Sequence, residues 1–316
     1  MTSRTAQASA PSLVLYSPAG VVADPRAITR ASRRLAELGF AVCVDAGARR
    51  RIQRFAGSDD ERLEALHRVA DAAPSVALAT RGGYGLSRLL DRIEWTRLAA
   101  SIERGTRWVG YSDVTSLQMG LLAHAPAALA RTWAGPMACD DFGREGPDEE
   151  AVDEVTRDVF AEALDGRLEA IGFRTEPGFD GLERRGTLWG GNLAVLLSLL
   201  GTPHWPARRV TRGGILFLED VNEHPYRIER GLLQLHQAGV LDDQQAVVLG
   251  QFDGFRPSPL DRGFTLRTVV SHLRGLTSTP LLTGLPFGHV RTKVMLPVGR
   301  RVNLIVQGRD TLLAWG

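Results

Sequence analysis

Arg107-Trp108-Val109-Gly110-Tyr111-Ser112-Asp113-Val114-Thr115 decides how this chain is read. A short apolar strand over Arg107–Gly110 runs into a polar turn, and Val114, Leu117, Leu121 and Leu122 then recur at helical spacing as far as about His124. The same rhythm surrounds it. Leu13–Tyr16 reads as a strand, Pro25–Leu38 as a helix stopped by Gly39, and Phe40–Val44 as the next strand. Ser58 followed three residues later by Glu61 has the form of a capping box, and Leu63, Leu66, Val69 and Ala70 carry its helix towards Pro74. A strand over Ser75–Thr80 comes next, and Arg81-Gly82-Gly83-Tyr84-Gly85 opens a further helix. Strands alternating with helices predict an α/β fold with a parallel sheet covered by helices.

Beyond Phe142 the pattern changes. A Gly-, Pro- and acid-rich stretch over residues 143–150 precedes a helix from about Glu149 to Leu164, and Gly178–Gly186 is rich in turn residues. Strands follow at Gly214–Glu219, Ala246–Gly250, Lys293–Pro297 and Arg301–Val306, with helices near 191–200, 226–238 and 264–274. With 316 residues the chain exceeds one average domain. The expected layout is a disordered stretch over 1–12, an N-terminal α/β domain over 13–165, a linker over 166–185 and a C-terminal domain over 186–316.

The 38 basic and 36 acidic residues give a net charge of only +2, so no large field draws the chain onto nucleic acid or an anionic membrane. A small neutral or zwitterionic substrate fits that balance. Lys293 is the one lysine, every other basic residue being arginine; read as a bias of composition, this carries no mechanism. Cys43 and Cys139 have neither a disulfide framework nor a metal-ligand spacing. The polar opening residues and the short apolar run Leu13–Tyr16 offer neither a signal-peptide core nor a membrane span, so a cytoplasmic protein is expected. The run Arg49-Arg50-Arg51 with Arg54 lacks interleaved aromatics and reads as a solvated edge.

Four places could carry chemistry. Ser112 sits where a strand turns into a helix, a position that lifts a hydroxyl above the sheet beside the N–H groups of the new helix. Helix capping is the commoner role for such a serine, and the second glycine of G-x-S-x-G is missing. Arg81–Gly85 could offer backbone N–H groups to an oxyanion or a phosphate, or be a plain turn; it lacks the spacing of a nucleotide-binding loop. Glu219 and Asp220 close an apolar strand, where a carboxylate can orient a histidine. His224 nearby raises a metal reading, which the absence of H-E-x-x-H or H-x-x-E-H spacing ranks low. Among seven histidines, His67, His236 and His272 lie in helical patterns, His124 near a helix end and His204 before Trp205-Pro206. His289 alone occupies a Gly/Pro-rich connection between apolar strands, over Gly284–His289.

Taken together and in order, these stretches resemble the murein tetrapeptide LD-carboxypeptidases, a family of serine peptidases, from about Leu13 to Val306. The resemblance runs through Ser17–Gly20, Arg54–Gly57 with Glu61–Leu63, Arg81–Gly85 with Ser87–Leu90, and Gly110–Thr115. It continues through Gly186–Leu193, Leu218–Asp220 with Asn222–Pro225, and Pro286–His289. It implies that Ser112 is the nucleophile, His289 the base and Glu219 its orienting carboxylate, with the backbone N–H groups of Gly83 and Asp113 as oxyanion donors. It also implies a flavodoxin-like N-terminal domain, a smaller C-terminal domain containing β-strands, a cleft between them, and a homodimer. The expected substrate is the tetrapeptide stem of a muropeptide, cut before its terminal D-alanine without metal or organic cofactor, and neither nucleic acid nor membrane is an expected partner. Two other readings stay open: a related self-immunity peptidase that cleaves peptide-nucleotide antibiotics, and a non-catalytic muropeptide-binding protein.

Overall fold

The computed structural model describes residues 10–315. Strands β1 (Ser12–Tyr16), β2 (Ala41–Val44), β3 (Val76–Ala79), β4 (Arg107–Gly110) and β5 (Thr132–Ala134) pair in parallel in the order β2-β1-β3-β4-β5. This is the doubly wound, flavodoxin-like order, whose switch point between β1 and β3 opens a crevice at the carboxyl ends of the strands. Helices α1 (Arg26–Glu37), α2 (Asp59–Ala72), α3 (Trp95–Glu103) and α4 (Thr115–His124) connect and cover them. The capping box forms as read: Ser58 Oγ accepts from the Glu61 N–H, and the Glu61 carboxylate accepts from the Ser58 N–H.

Several expectations are corrected. Arg81–Gly85 opens no regular helix; two short 3₁₀ turns, Leu86–Arg88 and Leu90–Arg92, follow it. Side chains from elsewhere hold the chain there, Arg62 donating to the Gly85 carbonyl and Asp113 accepting the Leu86 N–H, so groups a helix would use are already engaged. The helix expected over Glu149–Leu164 is two, α5 (Asp148–Ala151) and α6 (Glu154–Asp165), because Asp153 leaves the helix and caps α6 by accepting the Thr156 N–H at 2.9 Å. The expectation of disorder over 1–12 lies, for residues 1–9, outside the described residues; Ser12 already belongs to β1.

Residues 166–185 are not wholly a linker. They contain β6 (Ala170–Arg174) and the start of β7 (Glu183–Asn192), which with α7 (Leu193–Leu199), α8 (Arg208–Thr211), β8 (Ile215–Val221), α9 (Pro225–Gln237), β9 (Ala246–Asp253), α10 (Leu266–Leu276) and β10 (Leu281–Leu282) lead through the C-terminal half. β11 (Leu296–Val298), β12 (Arg301–Gln307) and β13 (Asp310–Ala314) complete it. The second sheet has the order β10-β9-β8-β7-β12-β13-β6, parallel from β10 to β7 and antiparallel from there on. β6 buries only Ile171 and Phe173, and its partner β13 lies far along the chain, so local sequence gives little sign of it. β11 leaves this half and adds an antiparallel edge to β5, tying the two sheets together by chain as well as by packing. Helix α4 packs against α7 and β7 within an apolar core common to both halves.

Candidate active site

Each of the three side chains singled out by sequence reaches the same point from a different element. Ser112 follows β4 directly, in the crevice predicted for a doubly wound sheet. Its φ is +62°, in the left-handed region that a non-glycine residue occupies at a cost of roughly 1–3 kcal/mol. The strain lets the chain reverse between strand and helix while the hydroxyl projects outward. Capping, the commoner role of such a serine, is not what it does: the N-cap position of the turn is Tyr111, with no side-chain cap, and Ser112 Oγ lies 3.1 Å from His289 Nε2.

The other ring nitrogen, His289 Nδ1, is 2.8 Å from Glu219 Oε2. A carboxylate facing Nδ1 accepts a hydrogen bond from Nδ1–H and keeps the proton on that nitrogen, which leaves the lone pair of Nε2 turned to the Ser112 hydroxyl. Glu219 is fully buried in β8, at an irregularity between Leu218 and Asp220 where the register against β9 shifts. Such a bulge re-aims a side chain, and here it lets two successive carboxylates face Asn192. Asn192 Nδ2 donates to Glu219 Oε1 at 3.2 Å and to Asp220 Oδ1 at 3.0 Å, while the Asn192 N–H donates to Thr115 Oγ1 in the first turn of α4. Burial pushes the Asp220 carboxyl up to about 6, against the hydrogen bonds from Val221, Ala194 and Asn192. The peptide before His289 is held by β9, since the Gln251 N–H donates to the Phe287 carbonyl at 2.8 Å and Gln251 Nε2 to that of Leu285 at 3.1 Å.

Beside the hydroxyl lies glycine backbone. A Cβ on Gly82 would stand 2.8 Å from Ser112 Oγ and 3.3 Å from the Asp113 nitrogen, so only a glycine leaves that space free. The Gly82 carbonyl accepts from the Gly20 N–H at 3.1 Å, joining the loops after β1 and β3. In a trans peptide the following N–H, that of Gly83, points the opposite way, and among the described residues it has no hydrogen-bond partner. The N–H of Asp113, in a helical first turn, likewise has no hydrogen-bond partner among the described residues, whereas that of Val114 donates to the Tyr111 carbonyl. Burial raises the Asp113 carboxyl to about 6, although the N–H groups of Leu86 and Gly85 and the nearby Arg62 favour its charged form.

The remaining histidines are engaged elsewhere. His224 pairs with Asp261 at 3.1 Å rather than with Glu219, and His124 contacts His204, which in turn contacts Asp91. Sequence reasoning missed Asn192 as a partner of the buried carboxylates. Its signal was Gly190-Gly191-Asn192 at a strand end, where Gly191, at φ +138°, leaves no room for a side chain against Thr115.

Two family models match the chain, the LD-carboxypeptidase N-terminal domain over residues 13–131 and the LD-carboxypeptidase C-terminal domain over 185–304. The chain belongs to the LD-carboxypeptidase family. A relative from Bacillus subtilis named "Probable murein peptide carboxypeptidase" is 31% identical over 93% of this chain and 88% of its own length. The solved muramoyltetrapeptide carboxypeptidase from Oxalobacter formigenes superposes with a TM-score of 0.85 at 37% identity, covering 96% of this LD-carboxypeptidase and 98% of that chain. The Microcin C7 self immunity protein MccF in complex with aspartyl sulfamoyl adenosine shares the fold, with a TM-score of 0.82 at 20% identity over 98% of this chain and 97% of that one.

Proposed function

We propose that this LD-carboxypeptidase removes the terminal D-alanine from murein tetrapeptides, at an L,D bond, through Ser112, His289 and Glu219. The observation that carries the reading is the unbroken hydrogen-bonded series from Ser112 Oγ through both nitrogens of His289 to buried Glu219. Its family membership, and the names of relatives that act on murein peptides, supply the substrate class.

The chemistry follows from the geometry. His289 Nε2 takes the Ser112 proton as Oγ attacks the carbonyl that precedes the terminal D-alanine. Charge grows on the carbonyl oxygen, and the N–H groups of Gly83 and Asp113 are the donors proposed to receive it beside Gly82. Glu219 stabilises the imidazolium and keeps the ring oriented, with Asn192 steadying the carboxylate. The imidazolium protonates the departing amine of D-alanine. Water then enters and attacks the ester carbonyl as His289 takes its proton; the bond to Ser112 Oγ breaks as the imidazolium returns that proton to Oγ, and the shortened peptide is released. No step calls for a metal or organic cofactor.

Two alternatives are less well supported. A muropeptide-binding protein without chemistry gives no reason for Ser112 to turn from capping towards a histidine backed by a buried carboxylate. A nucleotide-conjugate peptidase rests on neighbours whose identity is low enough to indicate the fold alone. The proposal includes a cytoplasmic homodimer with a functional boundary between the halves near 165–185, to be checked by fractionation and sedimentation. Incubating the purified chain with a murein tetrapeptide should yield the tripeptide and free D-alanine by mass spectrometry. Recovery of intact tetrapeptide would refute the reading.

A further inference from the structure

The one lysine in the chain is not on its surface. Lys293 is fully buried, and its Nζ lies 2.5 Å from Asp141 Oδ1 and 2.5 Å from the carbonyl oxygen of Val290. The same ammonium stands 5.3 Å from the centre of the Tyr111 ring. Tyr111 precedes Ser112, Val290 follows His289, and the Tyr111 ring meets the His289 imidazole edge-on at 4.9 Å. One enclosed charge therefore touches the backbone next to the proposed base and the side chain next to the proposed nucleophile. Its counter-ion is fixed as well: the second oxygen of Asp141 accepts the Met137 N–H at 2.8 Å, within a turn of π-helix over Ala138–Phe142. The Lys293 N–H in turn donates to Thr156 Oγ1 at 2.9 Å, at the start of α6.

We propose that Lys293 is a positioning residue for the reaction: it clamps the His289 loop and the Tyr111 ring against the Asp141 turn, and so sets the imidazole in line with Ser112 Oγ. The inference rests on the reading of Ser112 and His289 as the reacting pair. An ammonium suits the place because it is a compact charge with three donors, two of them used on Asp141 and Val290 and the third left on the side of an aromatic face.

The contact explains how segments far apart in sequence hold a distance that catalysis needs to within a fraction of an ångström. His289 is anchored on one side by Glu219, but a single hydrogen bond to Nδ1 leaves the ring free to swing about it. Tyr111 against its face and the clamped Val290 carbonyl behind its backbone remove that freedom. Loss of the ammonium releases both constraints together.

The test uses the full chain and two variants. Removing Lys293 alone leaves the buried Asp141 carboxylate with only Arg144, 3.6 Å from the same oxygen, as a counter-charge, so the first variant is the double replacement Lys293→Met with Asp141→Leu, which takes away both members of the buried pair. The second is Asp141→Asn, which keeps the shape and loosens the clamp. Labelling of Ser112 by a fluorophosphonate reports activation of the serine without any murein substrate: Oγ bonds to phosphorus, fluoride leaves, and the proton passes to His289. Rates are taken per folded molecule from circular dichroism. The double variant should label about 100-fold more slowly and lose kcat by a similar factor with KM little changed, the effect of a misplaced reacting pair. Asp141→Asn should fall between it and the wild type. Labelling and kcat within threefold of wild type in both variants would overturn the proposal. A wild-type chain that does not label at Ser112 would instead overturn the reading of the reacting pair on which it rests.

Discussion

His289 Nε2 stands 3.1 Å from Ser112 Oγ, although 177 residues of chain separate them. Nothing local holds that distance; it depends on β4 delivering the serine at a left-handed turn and on β9 and Glu219 fixing the histidine loop. Removal of the hydroxyl should therefore abolish turnover while the chain keeps its fold. Ser112→Ala deletes one oxygen and leaves no large core cavity. A purely capping serine would cost about 0.5–2 kcal/mol of stability and leave chemistry intact. Melting curves and D-alanine release measured on the same sample tell the two outcomes apart.

Ser112, His289 and Glu219 form one hydrogen-bonded series, and as the proposed triad their losses should not add. His289→Ala and Glu219→Ala should each reduce kcat severely, and adding Ser112→Ala to either should change little more. Asn192→Ala should cost less, because it touches only the far oxygen of Glu219. Additive losses in the double variants would show that the residues act independently.

Gly82 gives a sharper test of the space beside the serine. A methyl group there would sit 2.7 Å from Ser112 Cβ and 2.8 Å from Oγ, both closer than atoms can approach. Gly82→Ala should push the hydroxyl off line and lower kcat by about 100-fold. Circular dichroism should remain native, since the neighbour that gives way lies at the open end of the strand. Unchanged kcat would mean that the region beside Gly82 is not where the reacting carbonyl sits.

Much of this was legible in sequence and some was not, for physical reasons. The strand, turn and helix around Ser112 are written in apolar spacing, but a capping serine and a projecting one share that spacing; only the distant His289 decides between them. Glu219 could be placed at a strand exit, whereas the bulge that turns it towards His289 is a property of its pairing with β9. Asn192 gave no signal of its own because its partners lie on β8. β5 is three residues long, and β7 contains three glycines, so neither shows the alternation that marks a strand. Lys293 looked like a residue of compositional bias until its surroundings were known.

Asp113 makes stability depend on pH in an unusual direction. Burial places its folded value at about 6, above the ordinary 3.8, so the folded chain holds this proton more tightly than the unfolded one. The contribution is present below about pH 4 and is lost as pH rises through about 6. Asp113→Asn removes the titrating group while its amide oxygen can still accept the Leu86 N–H. The variant should therefore gain stability relative to wild type between pH 4 and pH 7, by an amount of order 2 kcal/mol, and gain nothing further above that. Paired thermal melts across this range check it; a constant difference, or one of opposite sign, would remove Asp113 as the source.

Where the substrate is cut supplies the last prediction. The chain should release D-alanine from L-Ala-γ-D-Glu-diaminopimelate-D-Ala and should process poorly the pentapeptide that ends in D-Ala-D-Ala. A carboxypeptidase has to fix a free terminal carboxylate while the adjacent carbonyl lies within reach of Ser112 Oγ and the N–H groups beside Gly82. An extra residue moves that carboxylate away. Placing the same bond at Ser112 would force the added D-alanine into space shaped for a chain end, with loss of a charge-assisted contact and a steric clash. Chirality is a second constraint. With the carbonyl held against the oxyanion donors, an all-L tetrapeptide directs its terminal methyl group to the opposite side, and a narrowly defined attack geometry rejects it. Mass spectrometry of the three digests should show one alanine lost from the first peptide and little from the others. Comparable release from all three would mean that Ser112 reacts with whatever carbonyl reaches it, and that neither the chain end nor the D-centre is recognised.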